Sequence, residues 1–355
     1  MAYTTIDDPE AYFQVKTYTG TGSSNALTLD GDTDMQPDMV WIKSRSHARI
    51  HTITDAVRGV TEEIYPDLAD AEDTQAEGLT AFGSDGFTVG THINYNNDTY
   101  TYVAWCWKAN GSGSSNSNGS ITSTVSASTD AGFSIVSWSG SGANATIGHG
   151  LGAEPKIIFL KIRTAGNNWQ VYNKSIGSGN ALYLNTTDAS ESNTGWQSTD
   201  ATSSVFSVSD GTAVNGSGAS LIAYCFADVQ GFSKVGSYVG NGSSSDGTFV
   251  YTGFRPAFVL TKGSSAAGLN WLLMDNKRHS VAPASGGTNF NVIDRQLMPN
   301  LSNADDTNEN IDFLSNGFKW YRDGGDSNYD GRTYVYMAFA EAPFVNSNGV
   351  PCNAR

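Results

Sequence analysis

Few residues in this chain are spaced for chemistry. The histidines are His47, His51, His92, His149 and His279. His47 and His51 are four apart, but on a predicted strand and loop that spacing gives no shared ligand face, as it would on a helix. No GxSxG elbow is present, and no histidine is placed to activate a thiol. Carboxylates are scattered through predicted loops, so a glycosidase pair is not signalled. Asp30-Gly31-Asp32-Thr33-Asp34 has the alternating acids of a calcium loop, but Trp41 stands where the bidentate Glu belongs. It reads as a solvated turn, and Asp323, Asp326 and Asp330 form a similar weak set. No catalytic residue, no metal site and no cofactor is assigned from these patterns, and no ligand-binding residue can be named.

The cysteines are Cys106, Cys225 and Cys352. An odd count with no CxxC spacing gives neither a disulfide framework nor a zinc site. Cys106 and Cys225 fall at matched places on predicted closing strands, where a free thiol behaves as a small hydrophobe.

The elements that carry these residues are repeated. Tyr18-Thr19-Gly20-Thr21-Gly22, Trp138-Ser139-Gly140-Ser141-Gly142 and Tyr238-Val239-Gly240-Asn241-Gly242 open three similar segments. Each is followed by an apolar run led by Pro37, Pro155 or Pro256, with Lys43, Lys161 or Lys262 six residues after the proline. Asp55, Asn173 and Asp275 come next, then strands centred on Phe87, Phe206 and Phe318. Closing strands follow, Tyr102-Val-Ala104-Trp-Cys106-Trp107, Leu221-Ile-Ala223-Tyr-Cys225-Phe226 and Tyr336-Met-Ala338-Phe-Ala-Glu341, aligned on their alanines. Matched landmarks in one order indicate three copies of a unit.

Short apolar or alternating runs bounded by Gly, Asn, Asp and Ser predict strands joined by turns. Asn96-Asn97-Asp98, Asn215 to Gly218 and Asp330-Gly331 are read as turns before the closing strands. Leu68 to Leu79 reads as a surface loop or a turn of helix. The expected class is all-β, with three tandem β-sandwich repeats at 13–109, 131–229 and 230–344. An N-terminal arm occupies 1–12, a Gly/Ser/Asn-rich linker 110–130 and a tail 345–355. Repeats two and three are expected to abut, with the first offset. Trp41, Trp105, Trp107, Trp138, Trp271 and Trp320 are read mainly as core.

With 20 Lys+Arg against 35 Asp+Glu, the net charge is −15. Such a chain is poorly suited to a phosphate backbone, so no nucleic-acid partner is expected. Its aromatics supply enough apolar area to oppose disorder. No apolar run is long enough for a membrane span, and residues 1–13 lack a signal-peptide pattern.

Several segments resemble a repeated domain of marine tailed-bacteriophage virion proteins, often labelled tail fibre or structural protein. They are Pro37-Asp-Met-Val-Trp-Ile-Lys-Ser-Arg45, Ser84-Asp-Gly-Phe87, Tyr102 to Ala109, Phe313-Leu-Ser-Asn-Gly-Phe318 and Tyr336 to Phe344. The opening Met1 to Pro9 is also similar. The second unit departs most, with Phe159 in place of Trp41 and no Gly before Phe206. The resemblance implies a concanavalin-like or laminin-G-like jelly roll and supplies no catalytic residues. It implies a non-enzymatic virion surface protein, made in the host cytoplasm, that serves as a tail fibre or host adhesin or as a head decoration or fibre protein. Implied partners are other virion proteins (capsid or tail) and host surface glycan, and a homo-oligomer fits. Tyr3, Ile6 and Tyr12 are the expected anchors of an arm that orders only on such a partner. The reading from a different class is a virion polysaccharide depolymerase.

Overall fold

Apolar runs of four to eleven residues between Gly- and Asn-rich turns give strands throughout, and the only α-helices are the single turns Ile93–Asn96 and Thr212–Asn215 among the described residues. The computed structural model describes residues 2–278, 292–308 and 311–351. Cys352 and His279 lie outside them.

Three antiparallel sheets share one strand order. In the first, the opening strand Phe13–Thr19 pairs with the closing strand Thr101–Trp107. That strand pairs with the lysine strand Met39–Ser44, which pairs with the acidic strand Thr52–Asp55. The second sheet repeats the order with Phe133–Ser139, Ser220–Ala227, Pro155–Ile162 and Gln170–Asn173. The third does so with Ser233–Val239, Thr333–Pro343, Phe254–Gly263 and Trp271–Asp275. A smaller layer covers one face of each. Asn25–Thr28, Gly86–Val89 and Leu79–Gly83 cover the first, and Ala145–Gly148 with Val205–Val208 the second. Phe249–Tyr251, Gly317–Trp320, Ile311–Leu314 and Val292–Ile293 form the third such layer. The class is all-β with sandwich-like layers.

Each large sheet is buried on both faces, and strand alternation divides the work. On the first closing strand Tyr102, Ala104 and Cys106 face the small layer, while Val103, Trp105 and Trp107 enter a central core shared by all three sheets. On the second, Leu221, Ala223 and Cys225 face their own layer, and Ile222, Tyr224 and Phe226 enter the shared core. Both cysteines are buried free thiols, and burial pushes their pKa up. At the centre Trp107, Phe226 and Phe339 form a triangle of edge contacts, with centroids 6.2, 5.8 and 5.8 Å apart. These three residues occupy one matched register, opposite Phe13, Phe133 and Ser233. The first sheet is therefore not offset from the others.

The register also corrects the alanine alignment. Tyr18, Trp138 and Tyr238 pair with Tyr102, Leu221 and Tyr334. Ala338 thus matches Cys106 and Cys225, and Tyr336 stands where the other sheets have Ala104 and Ala223. Room for that ring comes from its pairing partner Gly236, where a Cβ would lie 2.9 Å from the Tyr336 ring.

Two further segments differ from expectation. Residues 110–130 hold the strands Ser114–Asn116 and Ser123–Ser128, which extend the second sheet beyond its opening strand. The arm is not waiting for a partner. The Tyr3 hydroxyl donates to the Gly253 carbonyl at 2.8 Å, and its ring meets Phe344. Ile6 is buried in the central core, Tyr12 packs edge-on to Phe232, and Asp7 accepts from Ser347. Tyr3 and Tyr12 thus pack against residues that flank the strands of the third sheet.

Candidate functional site

The polar residues that could act chemically gather at the three seams where the sheets meet. One backbone contact recurs at each. The Glu72 N–H donates to the Arg163 carbonyl at 2.8 Å, Asp305 to Arg45 at 2.7 Å, and Ser190 to Ser264 at 2.9 Å. Arg45, Arg163 and Ser264 each lie two residues past the buried lysine. The second sheet therefore leans on a loop of the first, the first on a loop of the third, and the third on a loop of the second. The ring is closed head to tail, as in a heterologous cyclic interface.

A second contact follows the same cycle. His51, Trp169 and Trp271 stand four residues before Asp55, Asn173 and Asp275. Trp169 Nε1 donates to the Tyr65 carbonyl at 2.8 Å, and Trp271 Nε1 to Tyr183 at 2.9 Å. His51 accepts at Nδ1 from Trp41 Nε1 at 3.0 Å, which leaves its Nε2–H for the Met298 carbonyl at 3.1 Å. Burial first, and the nearby Lys43 charge second, hold His51 neutral with a pKa well below the usual range.

The three matched lysines are buried against carbonyls. Lys161 Nζ reaches Ala69 and Asn167 at 2.9 and 2.8 Å. Lys262 reaches Gly263 at 3.0 Å, and Lys43 reaches Ser44 at 2.7 Å. Burial brings each down to about 8. Asp67 accepts from the His51 N–H at 3.1 Å, and burial pushes it up to about 7.

Charge distinguishes the seams. At the first, Arg58 bonds Asp55 at 2.5 Å and Glu72 at 2.9 Å, Arg163 bonds Glu72 at 2.6 Å, and Tyr224 donates to Asp55 at 2.7 Å. Burial opposes the Arg58 charge, yet the oxygens of Asp55, Tyr224 and Glu72 raise its pKa well above the ordinary value. At the second, Arg278 bonds Asp275 at 2.6 Å and Asp305 at 2.7 Å, and Arg45 bonds Asp305 at 2.9 Å. Trp105 Nε1 donates to Asp275 at 2.9 Å, as Tyr224 does to Asp55. At the third, the matched residues are Asn173, Ile176, Ser190, Ser264 and Met337. Met337 has no donor, and among the described residues the Asn173 Nδ2 has no hydrogen-bond partner. Asp55, Asn173 and Asp275 stand out in the sequence. Their partners Arg58 and Arg278 carry a signal of their own, the Asp-x-x-Arg spacing that occurs in both copies.

The Gly-x-Gly segments have a clear mechanical role. Each is held by one fully buried asparagine, Asn96, Asn215 or Asn328. Its Oδ1 accepts from the N–H of Thr21, Ser141 or Asn241, and its Nδ2 donates to the carbonyl of Ser23, Ala143 or Ser243. At Gly20, Gly140 and Gly240 a Cβ would lie 2.0, 2.1 and 2.4 Å from a backbone oxygen. These asparagines clamp the loops, and the turns just beyond them, with positive φ at Thr99, Gly218 and Gly331, lead into the closing strands.

The cavity bounded by Met39, Trp41, Phe159, Tyr224 and Met337 holds about 10 Å³, room for one water at most, and its walls are apolar. Among the described residues no three His, Cys, Asp or Glu side chains converge to hold a metal ion. Asp30 accepts from Lys16 at 2.5 Å, and Asp326 accepts from the Asn270 N–H at 2.6 Å. Tyr3 and Tyr12 pack against Phe344 and Phe232 and Ile6 is buried in the core, so the three share no common exposed patch. No described helix is long and apolar enough to cross a membrane.

Residues 8–343 match one family model, described as Domain of unknown function (DUF7483). The chain belongs to that family. The match runs across all three sheets, so the closed ring lies within a single DUF7483 domain. No curated protein and no solved structure matches the chain.

Proposed function

We propose that this DUF7483 chain is a non-enzymatic surface module of a tailed-phage virion, built as three tandem jelly-roll-like repeats that form a trimer-like body in one chain. The observation that carries this reading is the cyclic seam, made three times from matched residues and closed on Trp107, Phe226 and Phe339. Faces that three separate subunits would use to associate are already used within the chain, and such a body fits a three-fold position on a symmetric particle. The buried Arg, Asp and Lys groups act as seam bonds, which supports display or attachment over catalysis. The three exposed Gly-x-Gly loops repeat around the ring and supply matched contacts for a head-decoration or fibre role.

Immunogold labelling of particles carrying this chain tests the placement: gold over the head supports decoration, gold at the tail supports a fibre or adhesin, and unlabelled particles overturn the virion reading. New reducing ends from host polysaccharide would replace it with the depolymerase reading.

A further inference from the structure

The outer faces of the three small layers differ. In each, one residue of the edge strand sits opposite a buried phenylalanine: Leu27 pairs with Phe87, Ile147 with Phe206 and Val250 with Phe318. Strand alternation turns the residues on either side outward. These are Ala26 and Thr28 on the first layer, Thr146 and Gly148 on the second, and Phe249 and Tyr251 on the third. The second pair is covered by the chain itself: the Thr146 N–H bonds Ser120 Oγ at 2.8 Å, and a Cβ on Gly148 would lie 2.1 Å from Asn116 Oδ1. The first pair is exposed but small. Of the three pairs, the third alone sets large rings in solvent, with Phe249 44 % and Tyr251 48 % exposed.

Both rings are held in place beside polar groups. The Phe249 ring lies next to Gly317, where a Cβ would be 3.0 Å from Phe249 Cε2. Lys234 Nζ stands 5.2 Å from the Tyr251 ring centroid and donates to the Tyr251 carbonyl at 3.0 Å. The Tyr251 hydroxyl lies 3.3 Å from that of Tyr3. Lys319, directly opposite Phe249, bonds Asp246 at 2.5 Å, and the Asp246 side chain is 84 % exposed. Lys319 takes one carboxylate oxygen, so acceptor sites on Asp246 remain for hydroxyl groups arriving from solvent.

Size and charge decide what such a platform takes. Two rings at this exposure offer about 200 Å², well short of the roughly 800 Å² per partner of a stable protein interface. An anionic polymer meets a net charge of −15, and a cationic one meets Lys234 and Lys319. The C–H face of a pyranose is apolar and fits over an aromatic ring, while its rim of hydroxyls matches donors and acceptors placed beside that ring. We propose that Phe249 and Tyr251 stack the adjacent rings of a neutral oligosaccharide, with Asp246 and Lys319 bonding its hydroxyls. The two side chains stand about 7 Å apart along the strand, the scale of one sugar unit. Their fixed positions spare the ordering cost of binding. The inference goes beyond the virion reading and does not rest on it.

The probes are cellohexaose, laminarihexaose and mannohexaose, with hexagalacturonate as the acidic comparison, each titrated into the full chain by calorimetry. Saturable binding of a neutral probe is expected, with a Kd of about 1 mM or tighter. Phe249→Ala and Tyr251→Ala should each weaken it about fivefold or more. Tyr329→Ala removes an exposed ring from the loop before the closing strand Thr333–Pro343 and should leave binding unchanged. In the unaltered chain, ring-proton shifts on adding the bound sugar should include Phe249 and Tyr251, which decides the matter if a variant does not fold. No saturable binding of any neutral probe at about 10 mM overturns the proposal. So do tighter binding of hexagalacturonate, undiminished binding to a folded Phe249→Ala chain, and shifts confined to other rings. A chain that binds no probe yet labels particles leaves the virion reading standing, and sugar binding by a chain absent from particles does the reverse.

Discussion

Tyr224 and Asp55 stand 169 residues apart, yet the Tyr224 hydroxyl donates to Asp55 Oδ2 at 2.7 Å in a fully buried seam. Trp105 and Asp275 repeat that relationship at the next seam, at 2.9 Å across 170 residues. Both aromatic donors sit at one register of the closing strand, and both carboxylates end an acidic strand. The pairing makes the sheets interdependent, and several expectations follow from it.

Removing Arg58 alone leaves Asp55 buried with its charge uncompensated. Arg58→Ala should destabilise the fold by about 3–5 kcal/mol. The third seam shows an uncharged solution at the matched positions, Asn173 with Ile176. Asp55→Asn combined with Arg58→Ile should therefore recover most of the loss. A denaturant double-mutant cycle measures the coupling, and additive losses would contradict it.

Because Trp107, Phe226 and Phe339 meet on one axis, the sheets should unfold together. Calorimetry should give one transition with matching calorimetric and van't Hoff enthalpies. Trp107→Ala should cost about 3–5 kcal/mol and shift that single transition. Residues 131–229 expressed alone would expose Phe226, Phe159 and Tyr224, and should bind a hydrophobic dye or aggregate. Three separable transitions would count against the shared core.

Lys43, Lys161 and Lys262 are brought by burial to about 8, from 10.5 in the unfolded chain. Between these values the unfolded chain holds protons that the folded chain has released, so their contribution to stability rises with pH. The buried tyrosines Tyr18, Tyr95 and Tyr224 are raised well above 10.0, so they oppose unfolding less as pH climbs past that value. Lys161→Met removes one titrating group. Wild type should gain stability relative to this variant as pH goes from 7.5 to about 10, measured by Tm across the series. A constant difference would show that Lys161 does not titrate in that window.

Asn215 bonds Ser141, Ala143 and Trp138 at once. Asn215→Ala should cost about 1–3 kcal/mol through the unpaired groups it leaves. Gly140→Ala should be worse than a surface substitution, since its Cβ would press on the Gly216 carbonyl at 2.1 Å. Thermal melts and loop hydrogen exchange report both effects.

Much of this architecture is legible in the chain. The Gly-x-Gly turns, the prolines with their lysines six residues on, and the Asp/Asn positions mark three matched segments. Strand periodicity gives the all-β class, because alternation and turn residues are local properties. The aromatic content of the closing strands predicts burial, but not that one face of each strand would serve its own layer and the other a common centre. Residues 110–130 look like a linker because Ser, Gly and Asn carry little apolar signal, yet main-chain pairing with the second opening strand makes strands of them. Residues 1–12 look like a free arm because the Gly253 and Gln230 carbonyls that hold Tyr3 and Thr4 lie more than 220 residues away in the chain. By itself the sequence determined which residues repeat and that they form strands, since these follow from local spacing and turn chemistry. Only the tertiary structure decided that Arg58 meets Glu72, that Tyr224 meets Asp55 and that the ring closes. Those contacts depend on the relative placement of whole sheets, which short-range pattern does not encode.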